Sequence, residues 1–287
     1  MIWIIGSKGM LGSEIINCLN NTNIPYYATD ADVSITNINS LQEYVSDKDI
    51  KWIINCAAYT AVDKAEAEKE LCYNINSKGV ENIVHVAIQK KAKLIHFSSD
   101  YVFDGLKETD YVETDDLMPQ TVYGQSKLVG ELYAGQYEKS FCFRLSWMYG
   151  KFGNNFVFTM MKQFAEKNKV KVVGDQFGSP TSAKDVANMI LHLIQTDSEK
   201  YGLYHYSGKG KTSWLEFATT IHHYCNTPKI ICFEKVDSNY FKSAAKRPKN
   251  SYMSKEKFEK TFPELIVKDW QASLQNFIEE LRHDSIQ

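Results

Sequence analysis

The feature of the sequence that most constrains the fold is a glycine-rich segment, Gly6-Ser7-Lys8-Gly9-Met10-Leu11-Gly12. It follows the apolar run Ile2–Ile5 and opens a stretch with apolar residues at helical spacing. Glycines at a strand-to-helix junction permit a tight turn and a close approach of the backbone to a phosphate group. The free N–H groups at the start of the helix can then bind that phosphate. The segment therefore predicts a dinucleotide site after the first strand.

The rest of the first half alternates apolar runs with helical patterns. Further runs of strand length lie at 26–29, 52–56, 94–97 and 142–145. This rhythm predicts βαβ units and a parallel sheet. Asp63, followed by Glu66, fits a capping box at the start of one of the helices.

After residue 150, helices and short strands alternate without a linker. We therefore predict an α/β fold, a Rossmann-type doubly wound parallel sheet with a smaller C-terminal α/β substrate lobe. Residues 1–150 would form the dinucleotide-binding domain. Residues 151–287 would form the mainly substrate-binding lobe, from which elements can return to the first domain.

Composition and charge exclude several classes of partner. The formal net charge of -2 gives no basis for binding nucleic acid or an anionic membrane. The apolar runs are strand-sized and the first begins at the N-terminus, so we expect no membrane segment, no signal peptide and a cytoplasmic location. The six cysteines form no C-x-x-C pair, which favours reduced, buried thiols over disulfides or zinc.

Asp30 stands at the end of the second apolar run. A carboxylate at this place can accept hydrogen bonds from the hydroxyls of the adenosine ribose. It would also repel a 2′-phosphate, which favours NAD over NADP, although Lys8 nearby could offset that repulsion. The glycine segment and Asp30 together predict a cofactor site that includes Gly6, Ser7, Lys8, Gly9, Met10, Leu11 and Asp30.

A second motif, Tyr123-Gly124-Gln125-Ser126-Lys127, carries the predicted chemistry. Residues four apart on a helix share a face, so Tyr123 and Lys127 can point into one cleft. A nearby ammonium group is expected to lower the pKa of the phenol, which could then exchange a proton with a carbonyl or alcohol oxygen while a hydride moves at the carbon. Lys127 could also hold the nicotinamide ribose. Tyr44 and Lys48 have the same spacing but lie in a polar stretch without a partner motif.

Ser99 completes the predicted catalytic set. It ends the apolar run of the fourth strand, and ligands of open α/β sheets bind at the carboxyl ends of the strands. Its hydroxyl could bind the substrate oxygen beside Tyr123. By contrast, we expect His96 to be a packed core residue, and His222-His223 and Lys246-Arg247 to be solvated surface. No zinc-like spacing and no G-x-S-x-G elbow occurs.

These motifs together resemble the dTDP-4-dehydrorhamnose reductases, a family of extended short-chain dehydrogenases/reductases, for which the G-x-x-G-x-x-G spacing is typical. The resemblance covers nearly the whole chain. Besides the two motifs above, it rests on Asn55-Cys56-Ala57-Ala58-Tyr59-Thr60-Ala61-Val62-Asp63-Lys64-Ala65-Glu66, Ser98-Ser99-Asp100-Tyr101-Val102-Phe103, Arg144-Leu145-Ser146-Trp147, Gly153-Asn154-Asn155-Phe156, Asp175-Gln176-Phe177-Gly178-Ser179-Pro180-Thr181 and Arg247-Pro248-Lys249-Asn250-Ser251.

The resemblance implies reduction of the 4-keto group of dTDP-4-dehydro-L-rhamnose to dTDP-L-rhamnose by NADPH or NADH. It implies catalytic roles for Ser99, Tyr123 and Lys127. It adds Asp32 and Val33 on the adenine side of the cofactor site, and Ala57, Ala58, Tyr59 and Thr60 after the third strand. The sugar would be contacted by Ser99, Asp100, Tyr123 and Trp147. An indole face can cover the apolar C–H edges of a deoxysugar, but core packing explains Trp147 equally well.

Two departures from the family pattern matter. Many relatives have threonine where this chain has Ser99, although either hydroxyl can donate. Some relatives bind Mg²⁺ through glutamates at a dimer contact, and only Glu14 falls at a matching place here, so no metal ligand is assigned and a homodimer stays a candidate assembly. The alternatives are another nucleotide-sugar reductase or epimerase of the same superfamily, and a non-catalytic nucleotide-binding regulatory subunit. The intact Ser99, Tyr123 and Lys127 set argues against the second alternative.

Overall fold

The computed structural model describes residues 1–284. The strands are β1 (Ile2–Ile5), β2 (Tyr26–Thr29), β3 (Trp52–Asn55), β4 (Lys93–Ser99), β5 (Ser140–Leu145), β6 (Met148–Tyr149), β7 (Lys169–Val173), β8 (Phe177–Gly178), β9 (Thr181–Ser182), β10 (Gly202–His205), β11 (Thr212–Ser213) and β12 (Cys232–Val236). The helices are α1 (Met10–Asn20), α2 (Ile38–Val45), α3 (Val62–Ala65), α4 (Lys69–Tyr73), α5 (Gly79–Lys90), α6 (Val122–Gly135), α7 (Phe156–Glu166), α8 (Ala183–Gln195), α9 (Trp214–Cys225), α10 (Glu256–Thr261) and α11 (Trp270–Asp284).

The core of the molecule is a parallel sheet of six strands in the order β10-β5-β4-β3-β1-β2. The chain runs from β1 outward to β2 and then crosses to β3 on the other side of β1. In doubly wound sheets, ligands bind where the order reverses in this way. The crevice between the ends of β1 and β3 is therefore the expected cofactor site. The parallel order of the six strands confirms the predicted Rossmann-type fold class.

Both faces of this sheet are covered, which explains the continuous apolar runs in its central strands. Ile2 and Ile4 point to the face packed by α1 and α8, whereas Trp3 and Ile5 point to the face packed by α2 and α5. β1 and β3 are buried at every position. Alternate residues of one strand thus serve two separate cores.

The C-terminal part of the chain builds a smaller layer and also contributes one strand to the main sheet. β12 pairs in parallel with β7, and α7, α9 and α11 pack around Tyr149, Phe217 and Trp270. β10 instead pairs with β5 at the edge of the main sheet. The last three residues of the predicted second lobe, 285–287, lie outside the described residues. Within residues 1–284, no helix has the length and apolar character needed to cross a membrane.

The strands predicted at 26–29, 52–56, 94–97 and 142–145 agree with the structure within a few residues, but the predicted capping box is wrong. α3 has its N-cap at Ala61, which makes no side-chain cap bond. Asp63 lies inside the helix, and its carboxylate is taken by donors from residues 243–247. We call residues 238–249, which follow β12, the strap.

Candidate active site

The glycine segment forms the turn at the switch point of the sheet. Gly6 has a φ of +77°, and a Cβ atom placed on it would lie 2.5 Å from the backbone nitrogen of Ala57. The loops after β1 and β3 therefore touch at a point where only glycine fits. Helix α1 begins after Gly9, which makes no side-chain cap bond. Its first N–H groups are free of a cap and can bind an anion, so these residues fit a dinucleotide pyrophosphate.

Asp30 follows β2 and is hydrogen-bonded to this turn. Its Oδ2 accepts a hydrogen bond from the backbone N–H of Lys8 at 2.9 Å, and its Oδ1 accepts one from Ala31 at 2.9 Å. Asp32 in turn accepts from the N–H of Asp30 at 2.8 Å. Val33 is buried in the core beneath them. The structure thus brings the Gly6–Leu11 turn, Asp30 and Asp32 together, and the side chain of Lys8 is exposed.

The segment Ala57, Ala58, Tyr59 and Thr60 follows β3 and lies beside the glycine turn. Tyr59 is held there by Asn76, whose Oδ1 accepts from the Tyr59 N–H at 2.8 Å and whose Nδ2 donates to the Tyr59 carbonyl at 3.0 Å. Nδ2 also donates to Ser126 Oγ at 3.0 Å, within the catalytic motif. Asn76 lies in a π-helical turn at Asn74–Lys78, and such turns are frequent at functional sites. No periodicity or motif in the sequence marks Asn76 as a residue of the site.

The structure brings Tyr123 and Lys127 of α6 to the carboxyl end of β4, the strand that ends at Ser99. Thr121 caps helix α6 by accepting from the Gly124 N–H at 3.0 Å, so Tyr123 stands in the first turn of the helix. Its phenol is within hydrogen-bonding reach of Ser99 at the end of β4. Lys127 is buried one turn further and donates to the carbonyl of Phe97 at 2.6 Å. Ser99 also accepts from the Tyr101 N–H at 3.2 Å, so it caps the 3₁₀ turn Asp100–Val102 as well.

Burial shifts the two titratable groups of this set in opposite directions. Burial raises the pKa of Tyr123, with the hydrogen bond to Ser99 opposing the rise and the Asp100 carboxylate adding to it. Burial lowers the pKa of Lys127 to about 8 from its ordinary value of 10.5. Desolvation of the phenolate, and not a neighbouring ammonium group, thus sets the direction of the pKa shift at Tyr123, which is opposite to the expected lowering. The phenol is protonated at neutral pH.

Asp100 lies beside this set and is only 2% exposed. Its Oδ1 accepts from Ser99 Oγ at 2.9 Å, whereas its Oδ2 is buried without a hydrogen-bond partner among the described residues. Burial raises the pKa of Asp100 to about 6, and the nearby hydroxyls of Ser251 and Ser99 oppose that rise. An unpaired carboxylate oxygen in such a place is suited to accept a hydrogen bond from a ligand hydroxyl.

Trp147 has a left-handed backbone conformation, with a φ of +45°, which is unusual for a bulky residue. Its ring stacks on that of Trp214, with centroids 3.6 Å apart and planes inclined by 9°. The pair is only partly buried. Such backbone strain persists where the surroundings determine it, and it is frequent at ligand sites. Trp147 therefore has both a packing contact and an accessible ring.

A cleft of about 1430 Å³ lies next to the Trp147–Trp214 pair, between α7, β7 and the strap. Trp214, Asp63 and Arg247 are among its lining residues, whereas Ser99, Tyr123 and Lys127 are not. Basic residues outnumber acidic ones seven to two in this lining. The basic residues are Lys167, Lys169, Lys171, Lys242, Lys246, Arg247 and Lys249.

Arg247 is expected to be solvated surface, but its side chain is only partly exposed and forms an ion pair. Its guanidinium donates to Asp63 Oδ2 at 2.7 Å, and its side chain is 35% exposed. Ser243 Oγ at 2.5 Å and the Ala245 N–H at 3.1 Å donate to the same carboxylate. Burial raises the pKa of Asp63, but these donors outweigh it and lower that pKa to about 2. The strap is thus tied to α3, which follows the segment 57–60 that we call the cofactor loop.

His96 is buried as predicted, and its Nδ1 lies 3.1 Å from Asn55 Nδ2. Burial, and next the charge of Lys127, lower its pKa well below the ordinary value. A neutral histidine inside a strand is a packing residue, not a base for the reaction.

Glu14, at the place suggested for Mg²⁺, does not fit a metal site within this chain. It is buried in α1, where desolvation raises its pKa, and the charges nearby include Lys184, Glu280 and Lys151. Glu280 is already paired with Lys184 at 2.5 Å. Among residues 1–284, no three His, Cys, Asp or Glu side chains are grouped for a metal ion.

The doubly wound sheet, the glycine turn at its switch point and the Ser–Tyr–Lys set define a Rossmann-type oxidoreductase of the short-chain dehydrogenase/reductase class. The family model described as the RmlD substrate binding domain matches residues 1–283, and the chain belongs to this family.

Several characterised proteins of this kind are similar over nearly their whole length. A dTDP-4-dehydrorhamnose reductase of Aggregatibacter actinomycetemcomitans is 35% identical over 284 residues, which cover 95% of this chain and 96% of that protein. The solved structure of a dTDP-4-dehydrorhamnose reductase from Clostridium acetobutylicum matches with a TM-score of 0.93 at 37% identity, over 98% of this chain and 99% of that one. Another, from Bacillus anthracis in complex with NADP, has a TM-score of 0.92 at 38% identity, over 97% and 98% of the two chains.

Proposed function

We propose that this chain reduces the 4-keto group of dTDP-4-dehydro-L-rhamnose to dTDP-L-rhamnose with a nicotinamide cofactor. The observation that carries the proposal is the convergence of Ser99, Tyr123 and Lys127 at the carboxyl edge of the sheet, next to the glycine turn. The similarity to dTDP-4-dehydrorhamnose reductases supplies the substrate.

The proposed reaction needs one hydride and one proton. The reduced nicotinamide supplies the hydride to the carbonyl carbon when it is bound. The Tyr123 phenol donates its proton to the carbonyl oxygen, and the Ser99 hydroxyl hydrogen-bonds to the same oxygen. Because burial keeps the phenol protonated, the site is prepared for reduction before the substrate arrives. The Lys127 ammonium would stabilise the phenolate left on Tyr123 and would hold the nicotinamide ribose.

The substrate would bind across the boundary between the Ser99 site and the basic cleft. Asp100 Oδ2 would accept a hydrogen bond from a sugar hydroxyl, and the Trp147 ring would cover an apolar edge of the sugar. The excess of basic side chains in the cleft favours the diphosphate, since the chain as a whole has a net charge of -2.

For the cofactor, we propose that both NADPH and NADH are accepted. Both oxygens of Asp30 already accept backbone hydrogen bonds, which fixes the carboxylate near the adenosine end of the turn. The exposed Lys8 side chain can offset its charge against a 2′-phosphate. Gly6, Ser7, Gly9, Met10 and Leu11 would hold the pyrophosphate, with Asp32 and Val33 on the adenine side and Ala57, Ala58, Tyr59 and Thr60 lining the cofactor.

We further propose that residues 1–150 bind the cofactor and residues 151–287 mainly the substrate.

The reaction would not require Mg²⁺. Glu14 and Glu280 lie beside lysine side chains, which balance their charge, and so they do not form a free set of metal ligands. Full turnover after treatment with EDTA would agree with this, and a loss restored by Mg²⁺ would contradict it.

A cofactor-oxidation assay tests the proposed function. The purified chain is given dTDP-4-dehydrorhamnose with NADPH or NADH, and UDP- and GDP-linked 4-keto sugars serve as comparison substrates. Turnover should be fastest with the dTDP compound. Turnover with another nucleotide sugar only would favour a different reductase or epimerase, and binding of cofactor without any turnover would favour a regulatory subunit.

A further inference from the structure

The helix that carries Tyr123 and Lys127, α6, is held against strand β5 by a buried ion pair. Glu131 lies one turn after Lys127 in α6, and Arg144 lies in β5. Arg144 Nε donates to Glu131 Oε2 at 3.0 Å and Nη2 donates to Oε1 at 2.6 Å. The two side chains are 1% and 7% exposed. A two-point contact of this kind fixes the rotation of α6 as well as its distance from the sheet.

The same arginine also contacts the other half of the catalytic set. In the pairing of β4 with β5, Arg144 stands opposite Ser98, the neighbour of Ser99. Its guanidinium carbon lies 5.0 Å from the ring centroid of Phe103, which follows the turn capped by Ser99. Arg144 therefore contacts both the helix of Tyr123 and the loop that leaves Ser99.

The third nitrogen of the Arg144 guanidinium, Nη1, is also paired. Nη1 lies 3.2 Å from His205 Nε2 and 3.4 Å from the carbonyl oxygen of Glu113. Burial, and next the charge of Arg144, lower the pKa of His205 to about 3, so the ring is neutral and can accept. Every nitrogen of the guanidinium thus has a partner, and none of these partners is Ser99, Tyr123 or Lys127.

Stability alone does not explain such a pair. Removing two charges from water is costly, and replacing a buried ion pair by apolar residues of similar volume is often neutral or stabilising. What apolar packing cannot supply is a directional contact that fixes one rotation of a helix against a strand.

We propose, on the basis of the proposed reductase function, that Glu131 and Arg144 are positioning residues: their two-point contact holds Tyr123 and Lys127 in register with Ser99. A displacement of about 1 Å at a reacting group can lower the rate by about 10²-fold. Breaking this contact therefore changes the chemical step more than it changes binding.

The test is a double variant, Glu131→Met with Arg144→Met, compared with Glu256→Met with Lys260→Met. The second pair is an exposed glutamate–lysine contact of 2.6 Å in α10, a helix that carries none of the site residues. We expect the first variant to melt within about 5 °C of the wild type. Its kcat should fall by about tenfold or more, while KM and the Kd for NADPH change by less than about threefold. The control variant should keep wild-type kcat.

Wild-type kcat in a folded Glu131→Met, Arg144→Met variant would overturn the proposal. So would a loss of kcat that accompanies equal losses of thermal stability and NADPH affinity, since this indicates a purely structural role. If the double variant does not fold, Glu131→Gln serves, because it keeps the shape and one acceptor; unchanged kcat there would reject the proposal. Failure of the proposed function is a separate result, since the wild-type enzyme itself would then not turn over.

Discussion

Tyr123 and Lys127 show how burial prepares a site for one direction of a reaction. The phenolate is the charged form of tyrosine and ammonium that of lysine, so desolvation favours the neutral form of each. Tyr123 therefore keeps its proton, whereas Lys127 loses its charge more readily than a free lysine. A reduction that ends with protonation of an oxygen needs the first property at its start.

Replacing Tyr123 by phenylalanine tests its role as proton donor. Tyr123→Phe should lower kcat by about 10²-fold or more, because a positioned proton donor contributes about that much. Binding of NADPH, measured by titration, should stay within about twofold. Tyr44→Phe is the matched control, since Tyr44 has a lysine at the same spacing but lies in α2 and stacks on Trp3. Equal activity of Tyr123→Phe and Tyr44→Phe would identify a different donor.

The pH dependence of kcat follows from Lys127. Its pKa is lowered by burial to about 8, while the charges of Cys142, Glu131 and Cys72 oppose the shift. We expect kcat to fall as pH rises through about 8, because the ammonium group is lost. In Lys127→Arg, the guanidinium stays charged, so a reduced but pH-independent rate is expected up to about pH 10. A wild-type profile that is flat to pH 10 would contradict this assignment.

The same shift has a consequence for stability. The unfolded chain holds its proton on Lys127 up to about pH 10.5, whereas the folded chain releases it above about pH 8. Between these values the unfolded state binds more protons, so this residue makes the free energy of unfolding rise with pH. Below about pH 8 the folded state carries the full cost of the buried charge.

Asp30 should control the choice of cofactor. Asp30→Asn keeps one acceptor for the backbone but removes the negative charge near the expected 2′-position. We expect the ratio of kcat/KM for NADPH to that for NADH to rise by about tenfold, which corresponds to about 1.4 kcal/mol of relieved repulsion. Steady-state kinetics with both cofactors measures it, and an unchanged ratio would place the 2′-phosphate elsewhere.

Residues with local signals could be predicted from the sequence, and residues with distant partners could not. Tyr123 and Lys127 share a helix, and Ser99 ends a strand, so their spacing was sufficient. The ion pair of Arg247 could not be predicted, because its partner, Asp63, lies 184 positions earlier in the chain. Nothing in the local pattern around either residue indicates that contact.

At the scale of elements, the π-helical turn Asn74–Lys78 connects the cofactor loop to the catalytic helix. Gly124 allows α6 its close approach to the preceding loop, since a Cβ atom there would lie 2.2 Å from the carbonyl oxygen of Tyr101. The strands were predictable because parallel strands buried on both faces read as continuous apolar runs. The π turn was not, because it keeps the apolar spacing of the helix that follows it.

Asn76→Ala tests the role of this turn. It leaves the backbone groups of Tyr59 without their partner, which should lower the free energy of unfolding by about 1–3 kcal/mol. It should also weaken NADPH binding by about tenfold, roughly the cost of ordering one residue of the loop on binding.

Asn82→Ala is the control for Asn76→Ala, because Asn82 is equally buried in α5 but donates to the carbonyl of Ile35 at 2.9 Å, away from the catalytic motif. It should lose stability without losing NADPH affinity. Equal affinities of the two variants for NADPH would show that the turn does not order the cofactor loop.

At the scale of the whole molecule, the strap joins the two parts of the chain across the basic cleft. Asn250, the residue after the strap, is bound to the loop after β4. Its N–H donates to the carbonyl of Gly105 at 3.0 Å, and its Nδ2 donates to the carbonyl of Lys107 at 2.7 Å. The middle of the strap is tied to Asp63. The ion pair is half-exposed and contributes little stability by itself, so its effect is on the geometry of the cleft.

Asp63→Asn should release the middle of the strap. We expect KM for the nucleotide sugar to rise by about threefold to tenfold, because the strap then has to be ordered on binding, while the Kd for NADPH does not change. Asp197→Asn, which breaks an exposed pair with Lys93, is the control. Because the pKa of Asp63 is lowered to about 2, its contribution to the free energy of unfolding is present above about pH 4. This contribution is lost as pH falls through about 2. An unchanged KM would show that the strap takes no part in substrate binding.

The central claim is that a hydride reaches a sugar carbon beside Tyr123, and isotope transfer tests it most directly. NADPH carrying deuterium at the transferable position is incubated with the protein and dTDP-4-dehydrorhamnose, and the product is analysed by mass spectrometry and NMR. We expect the wild type to form dTDP-L-rhamnose with deuterium at carbon 4 of the sugar, and Tyr123→Phe to form almost none. Oxidation of the cofactor without deuterium at that carbon would contradict it.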